Sequence, residues 1–540
     1  MPPTHRMTAA KAVVESLRRL GLDTVFGLPG VHNLPLYDAL HGAPDIRHVL
    51  ARNESGAAFM ADGYARASGR PAALFTITGP GVLNAMTGVA EAHAASSPIL
   101  WIATEIPAHT RNEGKRGALH ELDDQMALTQ TVTRFQCRVE DPGAVPSALA
   151  VAWHHLSRGR RGPVYVEIPL DVLDQEGEVS FPDPRPPGEK GGRGIDEAAV
   201  RGAADLLRAA ERPVFVIGGG AAWAEAGGEA VRLAERLGSP VLSTPTGKGV
   251  FPEDHPLFLG SLWSNTWDRR ESVRRALEES DLCLAVGTRF SAAATDGWKV
   301  RLPERLIRID ADADRMNENY PSAVGIAGDA RHALAALVEA LDEGGAGTGG
   351  TTGQTWFRRG GDSEPDPAAA ALLREIREGL PRDAVTCWDS LISLWAATRF
   401  PIFEPRTFLL SSGLCTLGYA LPAALGAQAA HPNRRVVAVT GDGAFLFTLA
   451  ELATLAEEGL PVTVLLLNDG GYGAIRNAQE RRYGGRTIAC DLRNPDFVRL
   501  AESFGIEARR LSGVEAVGKA LGEAPAGPRL LVLELGLTSP

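Results

Sequence analysis

The stretch Val436-Val-Ala-Val-Thr-Gly-Asp-Gly-Ala-Phe-Leu-Phe447, read with Val462-Thr-Val-Leu-Leu-Leu-Asn-Asp-Gly-Gly-Tyr-Gly473, decides the fold. Each piece opens as a short apolar run rich in Val and Leu, the pattern of a strand buried on both faces of a parallel sheet. The first run ends in Gly441-Asp442-Gly443, ahead of a helix-like run over 448–458; the second ends in Asn468-Asp469-Gly470-Gly471. If the two strands are neighbours, both loops open at one sheet edge, where open α/β sheets bind ligands. Gly441 and Gly443 let the backbone approach a phosphate. Asp442 and Asp469 supply hard oxygen ligands and Gly471 a main-chain carbonyl, a donor set that suits an octahedral Mg²⁺ also holding a diphosphate. Alone, Gly-Asp-Gly is more often a plain turn between strand and helix. The second strand and its Asn-Asp-Gly-Gly-Tyr-Gly tip the reading towards a cofactor site.

At 540 residues the chain is too long for one core, and roughly three domains are expected. Hydrophobic content of 44% and charged content of 22% are ordinary for a globular protein. The net charge of −11 argues against a general nucleic-acid footprint. Five cysteines, odd in number and without CxxC spacing, point to reduced thiols and a cytoplasmic setting, not to a disulfide framework or a zinc site. Residues 1–22 lack a signal-peptide apolar core, and no apolar run reaches membrane-spanning length.

Working outward, residues 8–20 read as an amphipathic helix with Thr8 as N-cap. Strands and helices then alternate from Thr24 to Pro169, which means a parallel α/β sheet. A second α/β unit begins at Pro213-Val-Phe-Val-Ile-Gly-Gly-Gly220, and a third, near Pro367, carries the opening motif. Segments 176–194, rich in Pro, Gly and charge, and 344–365, rich in Gly and Thr, read as linkers. The expected fold is α/β, with three doubly wound parallel-sheet domains over 1–175, 195–343 and 366–540. No residue-level repeat links the first unit to the third.

Further motifs extend the pattern: Phe26-Gly-Leu-Pro-Gly30, Arg52-Asn-Glu-Ser-Gly-Ala-Ala58, Asp62-Gly-Tyr-Ala-Arg-Ala67, Gly79-Pro-Gly-Val-Leu-Asn84, Phe251-Pro-Glu-Asp-His-Pro-Leu257 and Ser411-Ser-Gly-Leu-Cys-Thr-Leu-Gly-Tyr-Ala-Leu-Pro422. Together with the opening stretch they resemble the thiamine-diphosphate (ThDP) enzymes of the acetolactate synthase and 2-oxo acid decarboxylase superfamily, over nearly the whole chain outside the linkers. The resemblance implies a pyrimidine-binding domain, a middle domain and a diphosphate-binding domain. It implies ThDP and Mg²⁺ as cofactors, and decarboxylation of a 2-oxo acid through a carbanion/enamine, with aldehyde release or ligation to a second carbonyl compound. It also implies a homodimer, or a dimer of dimers, whose sites are shared between chains.

The family's chemistry explains the residue types. An acyl carbanion has no stabilisation of its own, and the thiazolium ring acts as electron sink. By the resemblance, Glu54 matches the glutamate that hydrogen-bonds the aminopyrimidine, Leu417 the side chain that bends the cofactor, and the Cys415 carbonyl the acceptor of its 4′-amino group. Asn84 would orient the pyrimidine or substrate. Pro29, Gly30, Ser390, Ala444, Tyr472 and Gly473 complete the implied cofactor contacts around Gly441, Asp442, Gly443, Asp469 and Gly471. Aligning on Gly-Tyr-Gly puts Asp469, where the family usually has Asn, at the metal-ligand position. Without the resemblance, Glu54 is simply a first-turn acid behind an Asn53 cap, Leu417 a core leucine and Asn84 a helix cap.

For the reaction itself, His32, Glu105 and His120 are the candidate polar groups, with Glu121 and Asp124 nearby. A histidine there would shuttle protons or bind the substrate carboxylate. The loops around Gly30–Tyr37 and Leu119–Gln125 look most like the guanidino-2-oxo acid decarboxylase branch, and the acids would favour a cationic substrate tail. Surface solvation explains those acids equally well. Trp263, Trp267 and Trp298 are pocket or core aromatics. Gly218-Gly219-Gly220 after a strand is a weak dinucleotide signal. Ser-Leu-Trp-Ser after Gly260 and Ser-Ala-Ala-Ala after Phe290 depart from flavin-binding members, so the sequence argues against FAD. The alternatives are an FAD-dependent oxidoreductase of the pyruvate oxidase kind and a non-catalytic relative.

Overall fold

The computed structural model describes residues 3–183, 194–263, 271–343, 355–358 and 367–535. Three six-stranded parallel sheets carry the chain. The first runs Arg47–Leu50, Thr24–Gly27, Ala72–Thr76, Ile99–Glu105, Val164–Pro169, Phe135–Arg138. The third runs Phe408–Leu410, Val385–Trp388, Val436–Gly441, Val462–Asn468, Arg529–Glu534, Glu507–Leu511. Counted from the first strand of each sheet, both follow the order 2-1-3-4-6-5. The middle sheet, Phe258–Ser261, Val241–Ser243, Pro213–Ile217, Leu282–Val286, Leu306–Asp310, Val324–Ala327, follows 3-2-1-4-5-6. The opening stretch behaves as its pattern predicts: Val436 pairs with Val462 and Gly441 with Leu467, in parallel register.

Helix Ala9–Arg19 has Thr8 as N-cap, its side chain accepting from Lys11 N at 3.3 Å. Residues 176–180, expected within a linker, instead form a strand antiparallel to Thr4–Thr8. Val179 is its one buried side chain, so neither an apolar run nor a clean alternation marked it in the sequence. Of the other linker residues, 181–183, 194 and the short piece 355–358 are described, with Phe181 buried; the rest, together with Trp267, lie outside the described residues.

Helix Glu54–Ser68 of the first sheet packs on helix Ala420–Ala430 of the third, backbone against backbone. A Cβ on Gly426 would lie 1.9 Å from the Met60 carbonyl oxygen, and one on Gly63 2.2 Å from that of Ala423. Only glycine allows that approach. One continuous core joins Phe26, Phe59, Tyr64 and Trp101 to Tyr419, Leu425, Val436 and Leu466. The middle sheet has cores of its own.

Candidate active site

In the third sheet the strand order reverses beside Val385–Trp388; Asp389 directly follows that strand, and Gly441 ends its neighbour Val436–Gly441. Gly441 N donates to Ser390 Oγ at 3.1 Å. Ser390 is a non-glycine residue at φ 63°, held there by Asp389, whose carboxylate accepts from Ser390 N at 2.6 Å. The Tyr472 ring lies on Gly443, where a Cβ would meet it at 2.7 Å. Ala444 is buried in the single helical turn Asp442–Phe445, and Gly473 starts helix Gly473–Arg482.

Asp442 is buried, and its Oδ2 accepts from Asn494 Nδ2 at 2.5 Å. The same amide reaches Asn468 Oδ1 at 2.9 Å, while Asn468 Nδ2 donates to Glu534 at 2.7 Å. Burial pushes the Asp442 carboxyl up to about 6; the Asn494 hydrogen bond opposes this and the adjoining Asp469 carboxyl adds to it. Two carboxyl groups pressed together fit a divalent cation, which would relieve their repulsion, and the Gly471 carbonyl is the third oxygen of the expected set. Among the described residues there is no cluster of three or more His, Cys, Asp or Glu of metal-binding form. Any cation here therefore draws on amide, main-chain and diphosphate oxygens as well.

The loop after Phe408–Leu410 bears Cys415, which is exposed and at φ 52°, and the half-buried Leu417. Asp389 Oδ2 accepts from Gly418 N at 2.7 Å and Tyr419 N at 2.8 Å, which fixes the end of this loop. Burial pushes the Asp389 carboxyl up to about 6 against those main-chain donors.

In the first sheet Glu54 opens helix Glu54–Ser68 behind Asn53, whose side chain accepts from Ser55 N at 2.9 Å. Glu54 is 8% exposed, and its Oε2 accepts from Asn84 Nδ2 at 3.0 Å. Asn84 is not a cap. Its helix, Pro80–Ala95, starts earlier, with Gly79 as cap, and this leaves the Asn84 amide for Glu54. Gly30 follows Pro29 in a loop closed by Asn33, which accepts from Gly30 N at 2.7 Å and donates to Leu28 O at 3.2 Å.

His32 and His120 come together with ring centroids 4.8 Å apart and planes tilted by 36°. Both Nδ1 atoms are buried without a hydrogen-bond partner among the described residues. Burial lowers the His32 pKa, and His120 lowers it further, against a main-chain hydrogen bond at Leu119. His120 sits at φ 66°, with its carbonyl over Gly79.

The three acids expected to favour a cationic tail all have partners in the protein. Glu105 is buried, accepts from Ile106 N at 2.7 Å and lies 3.7 Å from Arg138; burial and then Glu167 raise its pKa. Glu121 accepts from Gly117 N at 2.6 Å and Ala118 N at 2.9 Å, and pairs with Arg116. Asp124 caps helix Gln125–Thr129. Trp263 is buried, and Trp298 is exposed with its indole N–H on the Phe290 carbonyl. Sequence reasoning missed Asp389, Asn494 and Gln125. Gln125 accepts from Thr78 Oγ1 and Gly79 N, each at 2.9 Å, and so holds the turn ahead of Asn84.

At the strand ends of the middle sheet lies a cavity of about 1110 Å³, lined by Gly219, Thr246, Arg160, Arg289, Asp310 and Arg315 among others. Burial, then the neighbouring Arg289, Arg315 and Arg134, lower the Arg160 pKa. The glycines have a packing role: a Cβ on Gly218 would lie 2.3 Å from the Gly287 carbonyl oxygen, and one on Gly220 2.6 Å from Gly287 Cα.

Three family profiles match the chain: the thiamine pyrophosphate enzyme N-terminal TPP binding domain over 7–128, the central domain over 200–337 and the C-terminal TPP binding domain over 391–535. The probable 2-ketoarginine decarboxylase AruI of Pseudomonas aeruginosa is 38% identical, over 99% of this chain and 95% of that protein. The acetolactate synthase large subunit of Corynebacterium glutamicum is 36% identical, over 96% of this chain and 85% of that protein. The probable acetolactate synthase large subunit of Methanocaldococcus jannaschii is 34% identical, over 96% and 90%. With three sheets, three matching profiles and relatives aligned along nearly its full length, the chain belongs to the thiamine pyrophosphate enzymes and is a ThDP-dependent 2-oxo acid enzyme.

Proposed function

We propose that the chain is a Mg²⁺-dependent, non-oxidative decarboxylase of a 2-oxo acid, releasing an aldehyde or ligating the fragment to a second carbonyl compound. One observation carries this reading. Glu54 is withdrawn from water, yet among the described residues its hydrogen-bond partner is the neutral amide of Asn84. A buried carboxylate without a cation is costly unless a ligand uses it. A pyrimidine nitrogen is such a ligand, and Glu54 would hold or move the proton there. Bound ThDP supplies the thiazolium that accepts the electron pair when CO₂ leaves. Asp442, Asp469 and the Gly471 carbonyl would hold Mg²⁺ and with it the diphosphate, beside Ser390, Gly441, Gly443, Ala444, Tyr472 and Gly473. Leu417 would bend the cofactor and the Cys415 carbonyl would accept from its amino group. Pro29 and Gly30 would border the pyrimidine. His32 and His120, neighbours with unpartnered Nδ1 atoms among the described residues, would receive the substrate carboxylate or move protons, and Glu105 would assist.

The three units, over 1–175, 195–343 and 366–540, would serve as pyrimidine-binding, middle and diphosphate-binding parts. Exposed apolar side chains flank both half-sites: Val31 and Leu83 on one, Leu414 and Phe447 on the other. Such side chains favour an interface, here a homodimer or dimer of dimers in which Glu54 of one chain serves Asp442 of another. Mixing inactive Glu54→Gln with inactive Asp442→Ala under subunit exchange then restores activity; no recovery despite exchange rejects the shared site. All five cysteines are free, and among the described residues no helix is long and apolar enough to cross a membrane, which supports a cytoplasmic enzyme.

The test of the function is a panel of 2-oxo acids, with and without a guanidino tail, scored for CO₂ release. Products are analysed with and without an added aldehyde or 2-oxo acid. No release from any member rejects the reading. The arginine-lined cavity gives a second reading specific support: an FAD-dependent oxidoreductase. A purified protein free of flavin absorbance rejects it.

A further inference from the structure

Two buried glutamates outside the proposed chemistry mirror each other across the contact between the first and third sheets. Glu451, 1% exposed, opens helix Glu451–Glu457 of the third unit. Its Oε1 accepts from Arg52 N at 3.2 Å and Asn53 N at 3.1 Å, and its Oε2 from Arg52 N at 3.2 Å and Thr454 Oγ1 at 2.7 Å. Arg52 and Asn53 are the two residues ahead of Glu54. Glu91, fully buried, belongs to helix Pro80–Ala95 of the first unit. Its Oε1 accepts from Ser412 N at 3.0 Å and Gly413 N at 3.2 Å, and its Oε2 from Ser411 Oγ at 2.8 Å and Leu414 N at 2.8 Å. That segment leads directly into Cys415 and Leu417.

A glycine makes room beside each carboxylate. A Cβ on Gly56 would fall 2.1 Å from Glu451 Oε1, and one on Gly413 2.2 Å from Ala94 Cβ and 3.4 Å from Glu91 Oε2. Burial raises both carboxyl pKa values, and main-chain donors oppose the rise in both cases. Main-chain N–H groups aimed at a carboxylate make short, directional, charge-assisted bonds. They fix the backbone at the place where the site residue departs from it.

We infer that Glu91 and Glu451 are reciprocal positioning residues: each is rooted in one domain and holds the main chain of the other domain's site loop. Glu451 sets the start of the Glu54 helix, and Glu91 sets the loop carrying Cys415 and Leu417. The inference rests on the reading of Glu54, Cys415 and Leu417 as site residues. Gln keeps the size of Glu but turns an NH₂ towards main-chain N–H groups, so one or more of the bonds is lost. A loop displaced by about 1 Å costs on the order of 10²-fold in rate.

The test uses the full-length protein loaded with ThDP and Mg²⁺, and reads H/D exchange at the cofactor's C2 in a double-mutant cycle. Glu451→Gln is expected to slow exchange by about 10²-fold. ThDP affinity should stay within a few-fold, because Asp442, Asp469 and Ser390 are untouched. Added to Glu54→Gln it should slow exchange no further, because it acts through Glu54. Glu91→Gln should slow exchange further in the Glu54→Gln background, because it acts through the other loop. Full additivity of Glu451→Gln with Glu54→Gln, or wild-type exchange in both glutamate variants, overturns the inference. If Glu451→Gln fails to fold, Glu451→Asp reads the same cycle with the charge kept; failure of that variant too makes the clamp purely structural and overturns the inference. If the wild-type protein exchanges no faster than free ThDP, the proposed function fails instead, and the two failures are thus distinguishable.

Discussion

The first and third sheets share one strand order, 2-1-3-4-6-5, yet their site edges are chemically different. The third presses two carboxyl groups together, Asp442 and Asp469, with the Asn494 amide donating to both Asp442 and Asn468. The first presents one withdrawn carboxylate, Glu54, with the Asn84 amide, and two neighbouring imidazoles. Under the proposed function the same scaffold offers a charged clamp on one side and proton-transfer groups on the other. The lesson is that topology places a site edge, and the few residues after each strand decide what that edge does.

The sharpest way to break this division is Glu54→Gln. It should keep the fold and ThDP binding and slow C2 H/D exchange by about 10²–10⁴-fold, the usual loss on removing a positioned proton-transfer group. A variant exchanging as fast as wild type would move the role to another acid. On the opposite side, Asp442→Ala should weaken Mg²⁺-dependent ThDP binding by 10²-fold or more in order of magnitude, as read by calorimetry. Asp469→Asn should stay within a few-fold there, since a carbonyl oxygen replaces a carboxylate oxygen. Near-normal affinity in Asp442→Ala would dissolve the clamp. A smaller effect belongs to Asn494→Ala: loss of the amide that orients Asp442 should cost about 10-fold in Mg²⁺ affinity. If it costs nothing, the hydrogen bond is incidental.

The smallest effect concerns pH. Burial raises Asp389 from the ordinary aspartate range to about 6. A carboxyl group raised in the fold contributes stability that is full below its unfolded pKa and is lost as pH rises through its folded pKa. Cofactor-free protein should therefore lose part of its thermal stability between about pH 4 and pH 6, from the ordinary aspartate value up to the value at which Asp389 titrates in the fold. Asp442 is raised to about the same value, so Asp389→Asn should shrink that step without abolishing it. An unchanged profile would assign the step elsewhere.

The parallel strands were legible because Val436–Gly441 and Val462–Asn468 are short Val- and Leu-rich runs buried on both faces and closed by Gly- and Asp-containing turns. Asp442, Asp469 and Glu54 were legible because each directly follows such a strand or opens the next helix. Asn494, Asp389, Glu91 and Glu451 were not. Their partners lie far off in sequence, and a lone acid on a helix or a lone amide in a loop reads as solvated until the fold supplies its donors. The ribbon of Thr4–Thr8 with Glu176–Ser180 was hidden for another reason, because an exposed polar strand has no periodic signal. The acids Glu105, Glu121 and Asp124 were legible as charges but not as partners of Arg138, main-chain N–H groups and a helix cap.

The apolar core that runs from Phe26 through Tyr419 to Val436 makes the first and third sheets one thermodynamic body despite the sequence that separates them. The middle sheet has clusters of its own residues and joins the third sheet's second core at Trp263. Three units by topology are thus tied unequally, the two ends of the chain through one shared core and the middle through its edge. A calorimetric scan is expected to show the two ends unfolding in one transition.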